Sequence, residues 1–386
     1  HLLGKRYEGD AVAVKVERDK KEVEFARVVL GSAEAAYPDP FLGILPLRDD
    51  PEPGVAVRYV YPKSPAEKAG LKEGDRIMKI APPNAPAGTP LFPITRGRDQ
   101  LLTAMRAFRP GQELKVEVKR KDGGKVETLT AKLAEVPADV PAKLPETASA
   151  GKALTRPGVK PPDKPAPAKK EKEETGTMKK TSPAADHTYW LYVPTNYDAN
   201  IAHSVVVWFH PLGKGKQQDL EDFISSWETF CDDHHIILVC PQSENPRGWT
   251  PGEADFVMEA VKTVMSTYTV DMQRVVAHGM GVGGEMALYV AFQARAVIRA
   301  VAVVGASLSS NPREREGDSP LAVFLVVGGK DPIQPAVVQT RDRLAQLKYA
   351  VILREIAPLG HEYIDGKAGV PTLEELIRWI DSLDRL

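Results

Sequence analysis

Between His187 and Leu386 the chain alternates short, almost wholly apolar runs with longer amphipathic ones. The apolar runs are YWLYVP, SVVVWFH, IILVCPQ, RVVAHG, IRAVAVVGA, LAVFLVVGG and YAVILREIA. Between and after them come DLEDFISSWETFCDDH, GEADFVMEAVKTVMSTY, GGEMALYVAFQA, AVVQTRDRLAQLK and TLEELIRWIDSL. A strand without a polar face has to be covered on both sides. Helices with one apolar stripe supply that cover. The pattern predicts an α/β domain over 187–386, with a mostly parallel sheet flanked by helices.

One junction in this region carries more than packing. RVVAHGMGVGG, Arg274 to Gly284, climbs from an apolar strand through a glycine-dense turn into the helix EMALYVAFQA. That is the layout of a nucleophile elbow, G-x-S-x-G. With GMGVGG in register, the serine position is held by Gly281. Sliding the frame recovers no serine: Ser266 precedes the strand, and Ser307, Ser309 and Ser310 follow the next one. On these features 187–386 resembles the α/β-hydrolase superfamily, in particular secreted esterases of the polyester-depolymerase and feruloyl-esterase kind. The resemblance implies Asp331, in VFLVVGGKDPIQP, as the acid and His361, in LREIAPLGHEY, as the base. They follow the elbow in the family's chain order. It also places the oxyanion loop at HPLGKG, His210 to Gly215, where the family usually has His-Gly. Pro211 has no N–H to give, which leaves Leu212 and Gly213 as donors there. Val282, at the helix start, is the third anion-binding candidate. A cleft lined by bare N–H groups implies a carboxylate or ester-bearing ligand. His278, one residue before the elbow, is expected to pack or to make a hydrogen bond.

The first third of the chain repeats itself. YEGDAVAVKVERDKKEVEFARVVL (Tyr7–Leu30) aligns with FRPGQELKVEVKRKDGGKVETLTAKL (Phe108–Leu133), each an alternating run, a charged tip and a second alternating run. Both read as β-hairpins. YPKSPAEKAGLKEGDRIMKI (Tyr61–Ile80) resembles PDZ domains of the bacterial HtrA type, and the resemblance covers 37–136. Residues 1–34 then read as the C-terminal half of a preceding PDZ-like repeat, so the chain is expected to open inside a domain. The resemblance implies that FLGI, Phe41 to Ile44, is a carboxylate-binding loop. Successive N–H groups of Leu42, Gly43 and Ile44 would converge on an anion there. An edge strand from Ile44 would pair with an extended peptide. The helix DQLLTAMRAF, opened by Asp99 as its cap, would wall the groove with Leu102 and Met105. The proline-rich insertion Ala81–Arg98 is expected to lie over that groove. The implied partner is a peptide or a protein C-terminus.

The chain's 33 prolines exceed ordinary usage, and the segment 137–186 is rich in proline, lysine, alanine and glutamate. Such a segment buries too little apolar surface to offset its ordering entropy, so it reads as a linker. Net charge is −1, from 51 basic and 52 acidic residues, which gives no nucleic-acid footprint. No apolar run is long enough to span a membrane. Cys231 and Cys240 read as buried thiols. Neither a metal nor a cofactor is expected. The first residue is His1, so the sequence reads as a fragment or a processed form, with no signal peptide in view. Both resembled families point to a periplasmic or secreted bacterial protein. Three functional readings stand. The first is a non-catalytic binding or scaffold protein, a peptide-binding module joined to a silent hydrolase fold. The second is an active esterase or peptidase using Asp331 and His361 with a water or an unrecognised nucleophile. The third is a structural component of a larger assembly.

Overall fold

The computed structural model of the protein describes residues 9–18, 21–29, 37–86, 88–121, 124–151, 173–182, 187–309, 312 and 320–386. The chain forms two compact units, His1–Tyr37 and Pro38–Leu386. The small unit is one antiparallel hairpin, β1 (Ala11–Arg18) with β2 (Lys21–Val29). It presents Phe25 and Val29 at its surface.

The large unit opens with a small sheet. Its elements are β3 (Pro40–Phe41), β4 (Ile44–Pro46), β5 (Val55–Val60), α1 (Pro65–Lys68), β6 (Arg76–Ile80), β7 (Phe92–Pro93), α2 (Gly97–Met105), β8 (Glu113–Lys119), β9 (Val126–Lys132) and β10 (Ala134–Glu135). Strands β4, β5, β6, β8 and β9 pair in that order, β7 joins β6, and β3 pairs with β10. The β8–β9 hairpin is the expected counterpart of β1–β2. In each, a glycine with φ near 88°, Gly111 or Gly9, stands two residues before the first strand. The start of α1 follows from its sequence. Ser64 accepts from the Glu67 N–H, Glu67 accepts from the Lys63 N–H, and Pro65 occupies the first turn, where no N–H is required.

The rest of the unit is a doubly covered sheet. It comprises β11 (Gly176–Thr181), β12 (Thr188–Val193), β13 (His203–Phe209), α3 (Gln217–His234), β14 (Ile236–Pro241), α4 (Ala254–Thr267), β15 (Val270–Met280), α5 (Val282–Gln293), β16 (Ala300–Val304), β17 (Ala322–Gly328), α6 (Gln334–Gln346), β18 (Ala350–Ile356) and α7 (Val370–Asp381). The eight strands lie in the order β11-β12-β14-β13-β15-β16-β17-β18. β12 runs antiparallel to both its neighbours, and the strands from β14 onward along that order are parallel. Because side chains alternate across a strand, one run fills two cores. Val205, Val207 and Phe209 of β13 join the core under α4, α5 and α6. Val206 and Trp208 join the core under α3 and α7, which also takes Cys231 and Cys240 as buried free thiols. α7 shows the spacing that docks a helix: Leu373, Leu376, Ile377 and Ile380 are all buried.

Three expectations change. The segment 137–186 is not all linker: Gly176–Thr181 is the edge strand β11, and Val140 and Leu144 pack on the large unit. Backbone pairing to β12 decides the strand, because a lysine-rich edge needs no apolar face. The middle of that segment, 152–172, lies outside the described residues, as do 1–8 and 30–34 of the expected first repeat. Asp99 is not a helix cap; α2 begins two residues earlier, and Gln100 accepts from the N–H groups of Thr95 and Arg96 instead. The insertion 81–98 pairs β7 with β6 at its far end rather than filling the groove.

Candidate functional sites

At the C-terminal ends of β15, β17 and β18, three expected residues meet. Parallel sheets hold ligands at that end. β15 ends in Gly281, which has φ 53° and ψ −126° and opens α5. Its neighbours are glycine for space. A Cβ on Gly279 would lie 2.6 Å from the Gly283 oxygen, one on Gly283 would overlap the Phe209 carbonyl, and one on Gly284 would overlap Ala306. Gly281 is different. A Cβ there would meet only His361, at 3.2 Å from Nε2 and 3.7 Å from Cε1.

His361 Nδ1 donates to Asp331 Oδ2 at 2.8 Å. The Asp331 side chain is 2% exposed and the His361 side chain 45%. Oδ1 of Asp331 accepts the Ile333 N–H, which fixes the carboxylate plane. Gly305, with φ 54°, lets the pair close: a Cβ on it would lie 3.0 Å from Asp331 Oδ2 and from His361 Nδ1. The histidine loop is tied down by Tyr363, a residue that no motif singles out. Tyr363 donates to His278 Nε2 at 2.8 Å and accepts from Trp227 Nε1 at 3.1 Å. Since Nε2 accepts, Nδ1 of His278 carries the proton and donates to the Ala302 carbonyl at 2.9 Å. Burial pushes this imidazole down to about 4, so His278 is a neutral packing and hydrogen-bonding residue.

The loop 210–215 stands beside the start of α5. His210 is buried, accepts the Ser243 N–H on Nε2 and donates from Nδ1 to Pro211 O; burial lowers its pKa. The Lys214 N–H closes a turn onto the Pro211 carbonyl, with Leu212 and Gly213 (φ 75°) as its central residues. Gly248 lies between Val282 and Leu212, so the three anion-binding candidates share one corner of the molecule. Leu212 is 57% exposed there.

The second expected site is the FLGI loop. Gly43, with φ 95°, backs directly onto Ser64, whose Cβ would overlap any Cβ on residue 43. The N–H groups of Gly43 and Ile44 donate to the main-chain oxygen of Leu386, at 2.7 and 3.2 Å. Leu42 supplies a buried side chain instead, and its carbonyl accepts the Ala66 N–H. Ile44, Leu42 and Met105 are in one cluster with Leu386, and Leu102 packs on it half-buried. Phe41 is not in that cluster; it packs edge-on against Tyr61, with ring centres 5.1 Å apart.

Residues 40–133 match the family profile described as the PDZ domain. A curated relative, "Probable feruloyl esterase C" of Aspergillus flavus, is 30% identical over 157 residues, 39% of this chain and 57% of that protein. The chain thus spans somewhat over half the length of that relative.

The chain carries a PDZ-like region, 40–133, followed by a domain of esterase-like α/β-hydrolase fold.

Among solved structures the chain is similar to a thermostable esterase, with TM-score 0.45 and 14% identity over 71% of this chain and 72% of the other. It is also similar to fungal esterases from Rhizomucor miehei, with TM-score 0.45 and 10% identity over 54% and 83%. The sheet domain brings Gly281, Asp331 and His361 together, in that order along the chain. Its PDZ domain shares a compact unit with it, and among the described residues no helix is long and apolar enough to cross a membrane.

Proposed function

We propose that the protein is a binding or scaffold module in which a PDZ groove is joined to a hydrolase domain that does not form acyl-enzymes. The observation that carries this reading is Gly281. It occupies the turn that faces His361 Nε2 and offers that nitrogen no oxygen or sulfur to activate. Acyl transfer needs a nucleophile within hydrogen-bond reach of its base. What the site retains is a helix N-terminus, which favours an anion or a polarised carbonyl. Leu212, Gly213 and Val282 would supply N–H groups to a carboxylate or ester-bearing ligand.

A fluorophosphonate probe tests this directly. The intact protein should remain unlabelled and should not turn over p-nitrophenyl acetate. Gly281→Ser should become labelled, because its Cβ would stand 3.2 Å from His361 Nε2. That labelling should vanish when His361→Ala is added. Stoichiometric labelling of the intact chain that depends on His361 would sink the proposal.

The intact Asp331–His361 pair favours a second reading, hydrolysis by a water held on His361 Nε2. Any turnover by the intact chain that His361→Ala abolishes, without probe labelling, supports that reading over the first.

A further inference from the structure

The residues after α7 return to the FLGI loop of the PDZ region. α7 is locked to the sheet by Trp379, Leu376, Ile377 and Ile380, all essentially unexposed. Beyond it the backbone tightens into a turn, with Ser382 N–H on the Arg378 carbonyl and Arg385 N–H on the Ser382 carbonyl. Leu386 then reaches the groove. It gives its N–H to the Ile44 carbonyl at 3.1 Å and takes the Ile44 N–H at 3.2 Å. Two residues that exchange both bonds form the narrow pair of an antiparallel ladder. This is one rung of strand addition to β4. Gly43 adds the second donor to the Leu386 oxygen. The leucine side chain, 3% exposed, sits with Leu42, Ile44 and Met105.

Two residues earlier, Asp384 is fully buried and doubly held. Arg48 donates to it through Nε at 2.7 Å and Nη2 at 3.0 Å, and Arg98 through Nη1 at 3.1 Å. Both arginines belong to the PDZ domain. The groove therefore reads two side chains of its occupant, an aliphatic one and a carboxylate two residues before it.

We propose that the segment Asp384–Leu386 is the PDZ domain's ligand in cis. A trans ligand must carry the same Asp-x-Leu pattern to displace it. This rests on the reading of FLGI as a peptide site and is independent of whether the hydrolase domain turns over. The tether from α7 is so short that the cis segment acts at an effective concentration of about the millimolar range or above. The intact protein is closed to weak peptides, and a displacing peptide frees the end of α7.

The test uses the full chain and a fluorescein-labelled peptide Ser-Leu-Asp-Arg-Leu, read by anisotropy. Leu386→Lys places a charge in the apolar socket and should raise affinity for the probe by at least about 10-fold over the intact chain, as expected when the competent state is a minor population. Asp384→Asn, which keeps the side chain's size but removes the charge that Arg48 and Arg98 hold, should also raise it. A probe carrying asparagine for its aspartate should bind the Leu386→Lys chain more weakly. If the intact chain binds the probe as tightly as the folded Leu386→Lys chain, the cis ligand is refuted while the peptide site stands. If folded Leu386→Lys does not bind the probe at all, the peptide-site reading falls as well. Amide exchange in the intact chain gives a readout that no variant's folding can obscure. Gly43 and Ile44 should exchange slowly there; fast exchange in the intact chain overturns the proposal.

Discussion

At Gly283 a side chain has nowhere to go, because a Cβ would overlap the carbonyls of Phe209 and His210. Gly283→Ala should therefore force β13 and α5 apart, at a stability loss of about 1–3 kcal/mol, as overpacked cores show; urea unfolding measures it. Gly281 has no such constraint, only a positive φ, so a larger residue there is strained rather than excluded. The two glycines look alike in the sequence and differ in kind in the structure. His278 makes a different prediction. Its pKa is depressed from 6.5 to about 4 by burial, and that of His203 likewise falls to about 4. The unfolded chain takes up these protons first, so the stability they contribute is complete above pH 6.5 and drains as pH falls toward 4. For His278 alone a shift of this size corresponds to about 3 kcal/mol. Melting temperature should fall across that window, and His278→Gln should flatten the slope. An unchanged melting temperature between pH 6.5 and 4 would contradict the assignment.

Elements with a clear hydrophobic period are legible in the sequence. The apolar runs form strands β12 to β18, and the amphipathic runs form α3 to α7. β11 is not legible in this way, since its six residues, Gly176–Thr181, present no buried stripe and depend on β12 for every pairing. α2 lies where its pattern puts it, but its start does not. Asp99 has the chemistry of a cap, yet the chain entering the helix is fixed by Gln100 acting on Thr95 and Arg96. α7 has the period of an ordinary amphipathic helix. Nothing in that period shows that the residues after it complete a groove on the first sheet.

Across the whole large unit, the two domains meet through buried charge. Arg48, Arg58 and Arg98 of the PDZ domain reach Asp271, Asp381 and Asp384 of the hydrolase domain, and Arg274 lies among them. Burial pushes the Asp271 carboxyl up, and Arg98, Arg274 and Arg48 outweigh that, holding it well below the usual carboxylate range. Asp381 is held low in the same way by Arg48, Arg58 and Arg274. These carboxylates therefore stabilise the fold above pH 3.8, their ordinary value, and that contribution is lost as pH falls below it. Asp271→Asn should leave Arg98 and Arg274 buried and underpaired, at a cost of about 3–5 kcal/mol, read as a lower urea midpoint. A loss under about 1 kcal/mol would show that the cluster is more solvated than its burial indicates. The sequence by itself determined the sheet and its helices, because hydrophobic period is a local property, while the elbow frame, Asp331 and His361 came from the resemblance its motifs carry. Only the tertiary structure decided that Gly281 faces His361 Nε2, that widely separated arginines and aspartates share one buried interface, and that Leu386 packs against the FLGI loop. Each of these depends on segments far apart in the chain arriving at one point, and no local pattern records such a meeting.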